Sequence, residues 1–224
     1  MAERVLVIAA HPDDEVLGCG GTLRRHAVQG DEVHILFLAD GVSSRDGTVA
    51  GIDERQAAAI AGAKKLGAEE PEFLLFPDNR LDAVPQLELA KAIENCARRT
   101  APTIVYIHNA GDLNVDHRAV YQSAMVAFRP FPESSVRGIF AFETASSTEW
   151  SSSGIGPSFI PDRFVDISAY LDLKLELLRL YEKEMRKFPH PRSQEAVTAL
   201  ARWRGASAGV AAAEAFMTVR WIEK

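Results

Sequence analysis

The sequence predicts an α/β fold: a Rossmann-like three-layer sandwich, in which a mostly parallel sheet carries helices on both faces. Three observations carry this. Short apolar runs alternate with helix-period segments along the first 128 residues, the pattern of βαβ units. The runs are continuously apolar rather than alternating, as strands buried on both faces are. A polar loop follows each run, and in open sheets of this kind ligands bind beyond the carboxyl ends of the strands.

Taken in order, residues 4–9, RVLVIA, read as the first strand and 15–29 as a helix stopped by Gly30. EVHILFLAD at 32–40 is the second strand, and GVSSRDGTVAG is a loop before an alanine-rich helix over 53–66 that stops at Gly67. EFLLF at 72–76 is the third strand, followed by the loop PDNRLDA. Pro85 suits the first turn of a helix whose Leu87, Ala90, Ile93 and Ala97 share a face. TIVYIH at 103–108 is the fourth strand, then NAGDLNVDHR and a helix to 128. Beyond 136, VRGIFAFET and DRFVDIS read as two more strands. A helix covers 169–187 before Pro189 and Pro191, another covers 194–204, and AEAFMTVRWI is either a helix or an edge strand. Loops 10–15, 40–50, 77–83, 108–117 and 143–156 should then converge on one rim.

At 224 residues, 47% apolar and 25% charged, the chain reads as a single domain over 1–224 with a sizeable core. A net charge of −6 speaks against nucleic acid or an anionic membrane as partner. Two cysteines are too few for a disulfide framework. The six-residue apolar run near the N-terminus is too short for a signal peptide or a spanning helix. The expectation is a soluble, cytoplasmic protein without membrane insertion.

One stretch resists a folding explanation. IAAHPDDEVLGCGG gathers His11, Asp13, Asp14 and Glu15 at the end of the first strand, where adjacent carboxylates repel. A bound cation removes the objection. Imidazole with carboxylate suits zinc, and a catalytic zinc takes three protein ligands and keeps one position open. His11 and Asp14, with His117 from the loop after the fourth strand, make such a set, leaving Asp13 free to hold a proton. Other divalent ions, Fe2+ or Co2+, suit the same donors. GCGG at 18–21 does not read as a dinucleotide motif, because its spacing is wrong and three carboxylates occupy the place of a pyrophosphate. Cys19 reads as a small buried residue, and His26 and His34 as surface or strand-face residues.

AHPDDE, LGCGGTL, ADG, PDN, GDLNVDHRAV and FVDI together resemble the PIG-L / LmbE-like family of zinc-dependent de-N-acetylases, over nearly the whole chain. The resemblance implies removal of an acetyl group from an N-acetylated amino sugar, free, glycosidic or nucleotide-linked. It implies His11, Asp14 and His117 as zinc ligands, Asp13 as general base and Asp116 as a supporting carboxylate. It also implies sugar contacts from Arg55 and Asp78, and relatives often form homo-oligomers. One departure stands out: many relatives carry a histidine where Asn114 stands. An amide can donate to an oxyanion but delivers no proton, so either Asp13 alone carries the proton to the leaving amine or another side chain helps. His108, Tyr106 and His190 of PHPRS are candidates, His190 first. Arg45 on the expected rim could meet a substrate phosphate, and Glu143 and Trp150 of ETASSTEW could bind and stack a sugar. Trp203 and Trp221 read as core or interface. Two alternatives remain: an amidase cutting a larger acyl or thiol-conjugate amide, and a non-catalytic sugar- or nucleotide-binding module.

Overall fold

The structure is a computed structural model that describes residues 2–45, 49–152, 154 and 156–223, with the side chains of Arg45 and Val49 outside the description. One seven-stranded sheet organises it. β1 (Arg4–Ala9), β2 (Glu32–Ala39), β3 (Glu72–Phe76), β4 (Ile104–His108) and β5 (Gly138–Phe142) are mutually parallel. β7 (Ala213–Trp221) runs antiparallel between β5 and β6 (Arg163–Asp166), giving the order β3-β2-β1-β4-β5-β7-β6. The last segment is thus a strand, as one of its two readings had it, but an interior one; the edge falls to β6.

Alternation along β1 divides the core. Val5, Val7 and Ala9 face a layer built with α1 (Asp14–Val28), α2 (Val49–Leu66) and α5 (Leu171–Leu180). Leu6, Ile8 and Ala10 face the opposite layer of α3 (Gln86–Thr100) and α4 (Val115–Ala127). α6 (Gln194–Ala208) packs over β7. The buried face of α3 is Leu89, Ala90, Ile93 and Cys96, whereas Leu87 is 61% exposed; the expected stripe was turned too far toward solvent.

Two departures position the site. α5 ends at Leu180, seven residues short of the expected 187, and the chain from Tyr181 to Ser193 leaves the helix to deliver Tyr181, Glu184 and Arg192 to the rim. α1 is broken at Cys19 (φ −146°, ψ 20°). There a Cβ on Gly18 would lie 2.2 Å from the Phe142 ring, and one on Gly21 would lie 2.7 Å from Ile167. The break frees backbone groups, which a buried ion pair satisfies. Glu214 accepts from Gly21 N and Thr22 N at 2.9 and 2.7 Å, and Lys174 donates to Glu214 at 2.6 Å and to Leu17 O at 2.9 Å. The glycines of GCGG therefore serve close packing. Cys19 and Cys96 are free and buried.

β1 pairs with β2 on one side and β4 on the other, so the strand order reverses at β1 and the loops after β1 and β4 part. Such a crevice is where open α/β sheets bind ligands.

Candidate metal centre

The loop after β1 supplies His11, Asp13 and Asp14, all buried. Asp13 has φ +133°, a conformation costly for a side-chain-bearing residue and most often found at functional sites. Glu15 holds it: its carboxylate accepts from Asp13 N at 2.9 Å and from the Tyr181 hydroxyl at 2.7 Å. Asp13 O accepts from Val16 N and Leu17 N, turning the chain into α1. After β4, Asn114 caps α4 by accepting from Asp116 N at 2.8 Å, which fixes Asp116 and His117 in the first turn.

These elements bring His11, Asp14 and His117 together, with a ligand atom from each inside 4.8 Å of the others. His11 Nδ1 lies 3.1 Å from Asp14 Oδ2, and His117 Nε2 lies 3.3 Å from the same oxygen. On the far side of each ring stands another carboxylate. His11 Nε2 is 3.0 Å from both Asp116 Oδ2 and Asp78 Oδ1, and His117 Nδ1 is 3.1 Å from Asp112 Oδ1. A carboxylate behind each imidazole turns the other ring nitrogen inward as a donor atom, the usual support of a metal-binding histidine.

The fit to a cation can be tested on the unsatisfied atoms. Asp14 Oδ1 and His117 Nε2 are buried without a hydrogen bond, although buried polar atoms ordinarily find partners. Acceptor faces turned toward one another are what a divalent cation satisfies, and the nitrogen and oxygen donors suit zinc, iron(II) or cobalt(II). The residues fit.

The charges sort in the same sense. Burial alone would lower His117, but Asp14 and Asp112 beside it push it up to about 9. Burial would raise Asp14, yet His117 and His11 hold it well below the usual carboxylate range. Asp13 moves the opposite way, raised by burial against the pull of Arg192 and Arg55. Two adjacent carboxylates thus have opposed environments, the arrangement that separates a ligand from a proton acceptor. Asp13 Oδ2 meets Arg192 Nη1 at 3.0 Å and Arg55 Nη2 at 3.2 Å, while its Oδ1 is buried without a hydrogen bond.

The other expected residues have these partners. His190 Nδ1 accepts from Arg192 N at 3.0 Å, and its ring lies edge-on to Trp150. The residue of PHPRS that reaches Asp13 is Arg192. Tyr106 lies in the core with its hydroxyl 3.0 Å from His26 Nε2. His108 stacks on His117 at 3.8 Å between ring centroids and accepts from Ala10 N at 2.9 Å. Burial, together with His117, keeps it neutral by lowering it well below its ordinary value.

Arg55 is 8% exposed and occupied by Asp13, Glu184, Pro12 O and Gly41 O. Asp78 backs His11 with one oxygen and accepts from Ser44 with the other, which holds it down at about 2 despite its burial. Glu143 is held by Arg204 in a two-pronged pair at 2.8 and 2.7 Å. The Arg45 side chain lies outside the described residues. Sequence reasoning missed Asp112, Glu184 and Arg192. Asp112, inside GDLNVDH, carried a readable signal, since a carboxylate five residues before a ligand histidine is a natural partner for its ring.

Fold and site together define a class: an α/β protein with a buried His2Asp cluster that could hold a cation at the switch point of its sheet, and a further carboxylate, Asp13, beside it. The chain belongs to the PIG-L family, since residues 6–128 match the family described as PIG-L: GlcNAc-PI de-N-acetylase. It is 33% identical over 185 residues to the uncharacterized deacetylase YaiS of Escherichia coli (strain K12), covering 80% of this chain and 90% of that protein. It is 29% identical over 196 residues to diacetylchitobiose deacetylase of Thermococcus kodakarensis, covering 81% and 70%. Among solved structures it is similar to GalB, the 4-carboxy-2-hydroxymuconate hydratase of a Pseudomonas strain, with a TM-score of 0.76, 26% identity and coverage of 100% and 99%. No helix among the described residues is long and apolar enough to cross a membrane.

Proposed function

We propose that the chain is a divalent-metal-dependent hydrolase that removes the N-acetyl group from an amino sugar, with Asp13 handling the proton. The observation that carries this is the buried, unpartnered Oδ1 of Asp13 next to the His11–Asp14–His117 cluster. A divalent cation held by those three residues, zinc by the resemblance, supplies Lewis acidity toward the carbonyl oxygen and acidifies water at neutral pH.

The chain's own residues do the rest. Arg55 and Arg192 fix Asp13 Oδ2 and leave Oδ1 to take the proton of the attacking water. The same oxygen is assigned delivery of that proton to the sugar nitrogen, since His108 is stacked on His117 and accepts from Ala10 N. Asn114 Nδ2, which donates only a long bond to Asn79 Oδ1 at 3.4 Å, is assigned as a donor to the oxyanion. Asp116, Asp78 and Asp112 hold the two imidazoles.

An amidase acting on longer acyl groups would use the same residues, and the site is too complete for a binding module that has lost its chemistry. The full-length likeness to GalB favours one further reading, hydration of an unsaturated carboxylate by the same base. Zinc-loaded protein incubated with N-acetylated sugars and their nucleotide-linked forms should release acetate and free amine in equal amounts. Failure on every acylated sugar, with consumption of an unsaturated dicarboxylate, would overturn the deacetylase reading in favour of the hydratase one.

A further inference from the structure

Two arginines face Asp13, yet both meet the same one of its oxygens. Arg192 Nη1 and Arg55 Nη2 lie 3.0 and 3.2 Å from Oδ2, while Oδ1 is buried without a hydrogen bond. A guanidinium presents five donors in a fixed fork, and its strongest arrangement on a carboxylate takes both oxygens. Two such forks beside one carboxylate would ordinarily fill it. Something holds them back.

Glu184 stands behind both. Its Oε1 accepts from Arg55 Nη1 at 2.9 Å, and its Oε2 lies 3.5 Å from Arg192 Nη1. Each arginine is also held at Nε, Arg55 by Pro12 O and Arg192 by Ser146 Oγ, so Glu184 acts on the terminal nitrogens that face Asp13. The four side chains form a closed circuit of two cations and two carboxylates, largely out of water. Without Glu184, two guanidiniums would share a single carboxylate. A buried donor that loses its acceptor is costly to leave unpaired, and Asp13 Oδ1 is the open acceptor nearest to hand.

The backbone of the same turn supports this. Glu184 N donates to Tyr181 O at 2.8 Å, and the Tyr181 hydroxyl donates to Glu15, whose other oxygen accepts from Asp13 N. One turn therefore anchors the main chain of Asp13 through Tyr181 and its side chain through Glu184.

We propose that Glu184 is a positioning residue: by holding the two guanidiniums from behind, it confines them to Asp13 Oδ2 and keeps Oδ1 open for the proton. The inference rests on the reading of Asp13 as the base and adds what keeps that base unblocked.

The test compares wild-type protein with Glu184→Ala and Glu184→Gln on the acetylated sugars that the wild type turns over. Glu184→Ala should lower kcat roughly 10–100-fold, within what a general base supplies, and leave KM nearly unchanged. Glu184→Gln, of the same size and with one acceptor left, should lose less. Cobalt(II) should still saturate at one equivalent in both. In an Asp13→Asn background Glu184→Ala should cost no further kcat, since the oxygen it protects is no longer a base; a residue that merely supports the fold would lower both backgrounds alike. A crystal structure of Glu184→Ala supplies a readout free of turnover, with an arginine nitrogen expected within hydrogen-bond distance of Asp13 Oδ1. If the alanine variant does not fold, the glutamine variant carries the same comparisons. Unchanged kcat in a folded variant, or an equal loss in the Asp13→Asn background, refutes the role of Glu184 and leaves the deacetylase reading standing. If the wild type turns over no acetylated sugar, that reading falls and the variant's structure decides alone: Oδ1 taken by an arginine upholds the role of Glu184, and Oδ1 still unpartnered overturns it.

Discussion

Replacing Asp13 by Asn keeps the volume and planarity of the side chain and removes its ability to accept a proton. In the structure its two oxygens have separate tasks: Oδ2 meets Arg192 and Arg55 at 3.0 and 3.2 Å, and Oδ1 is unpartnered. The loss should therefore fall on turnover, by about 10²–10⁴-fold for a missing general base. At 1.36 kcal/mol per tenfold, that is about 2.7–5.4 kcal/mol of transition-state stabilisation. Stability should suffer less than in an ordinary broken buried pair, which costs about 3–5 kcal/mol. Arg55 keeps Glu184 and Pro12 O at 2.9 Å each, and Arg192 keeps Ser146 at 2.7 Å. The assay is kcat from released amine, alongside metal content by elemental analysis. The reasoning is refuted if Asp13→Asn retains metal and turns over within about tenfold of wild type, because the base is then elsewhere. Loss of metal would show instead that Asp13 is itself a ligand.

Asp112→Asn should weaken metal affinity about 10–100-fold, the usual cost of removing a carboxylate behind a ligand histidine, measured by competition with a chromophoric chelator; an unchanged affinity would show that His117 needs no such support. Metal uptake should expel protons. With His117 raised to about 9, the ring is protonated at neutral pH and must lose its proton to bind, so affinity falls as pH drops below that value. Calorimetry in two buffers of different ionisation enthalpy reads the proton directly, and identical heats would contradict the assignment. Gly18→Ala places a methyl 2.2 Å from the Phe142 ring and should destabilise the fold by about 1–3 kcal/mol through overpacking, seen as a lower Tm. An unchanged melting curve would mean that the α1–β5 contact is loose.

The parallel part of the fold was readable because its strands are continuous apolar runs closed by glycine or a polar loop, as RVLVIA and EVHILFLA show. Where apolar and polar residues mix, as in AEAFMTVRWI, periodicity alone did not choose between strand and helix, and only pairing on both sides with β5 and β6 fixes β7 as a strand. The break in α1 was invisible because it depends on Phe142, Lys174 and Glu214, more than 120 residues away in the chain. The clustering of His11, Asp14 and His117 follows the same divide. The local motif HPDDE was legible by charge repulsion, and the distant histidine by the expected convergence of the loops after the strands on one rim, which the β1–β4 pairing brings about. Arg192 was not legible. PHPRS offers both a histidine and an arginine, and only the folded chain shows that Arg192 reaches Asp13 while His190 Nδ1 accepts from Arg192 N. Arg55 and Asp78 illustrate a related limit, since the sequence does not show that they pair with Asp13 and His11.

The most direct test is a cobalt(II) titration of metal-stripped protein followed by visible ligand-field absorption. A cation gripped by two loops of one sheet should saturate at a single equivalent in wild type and in Asp13→Asn, and the signal should vanish in Asp14→Ala and in His117→Ala. Saturable absorption that survives both of those replacements would place the metal elsewhere and remove the basis of the proposed chemistry.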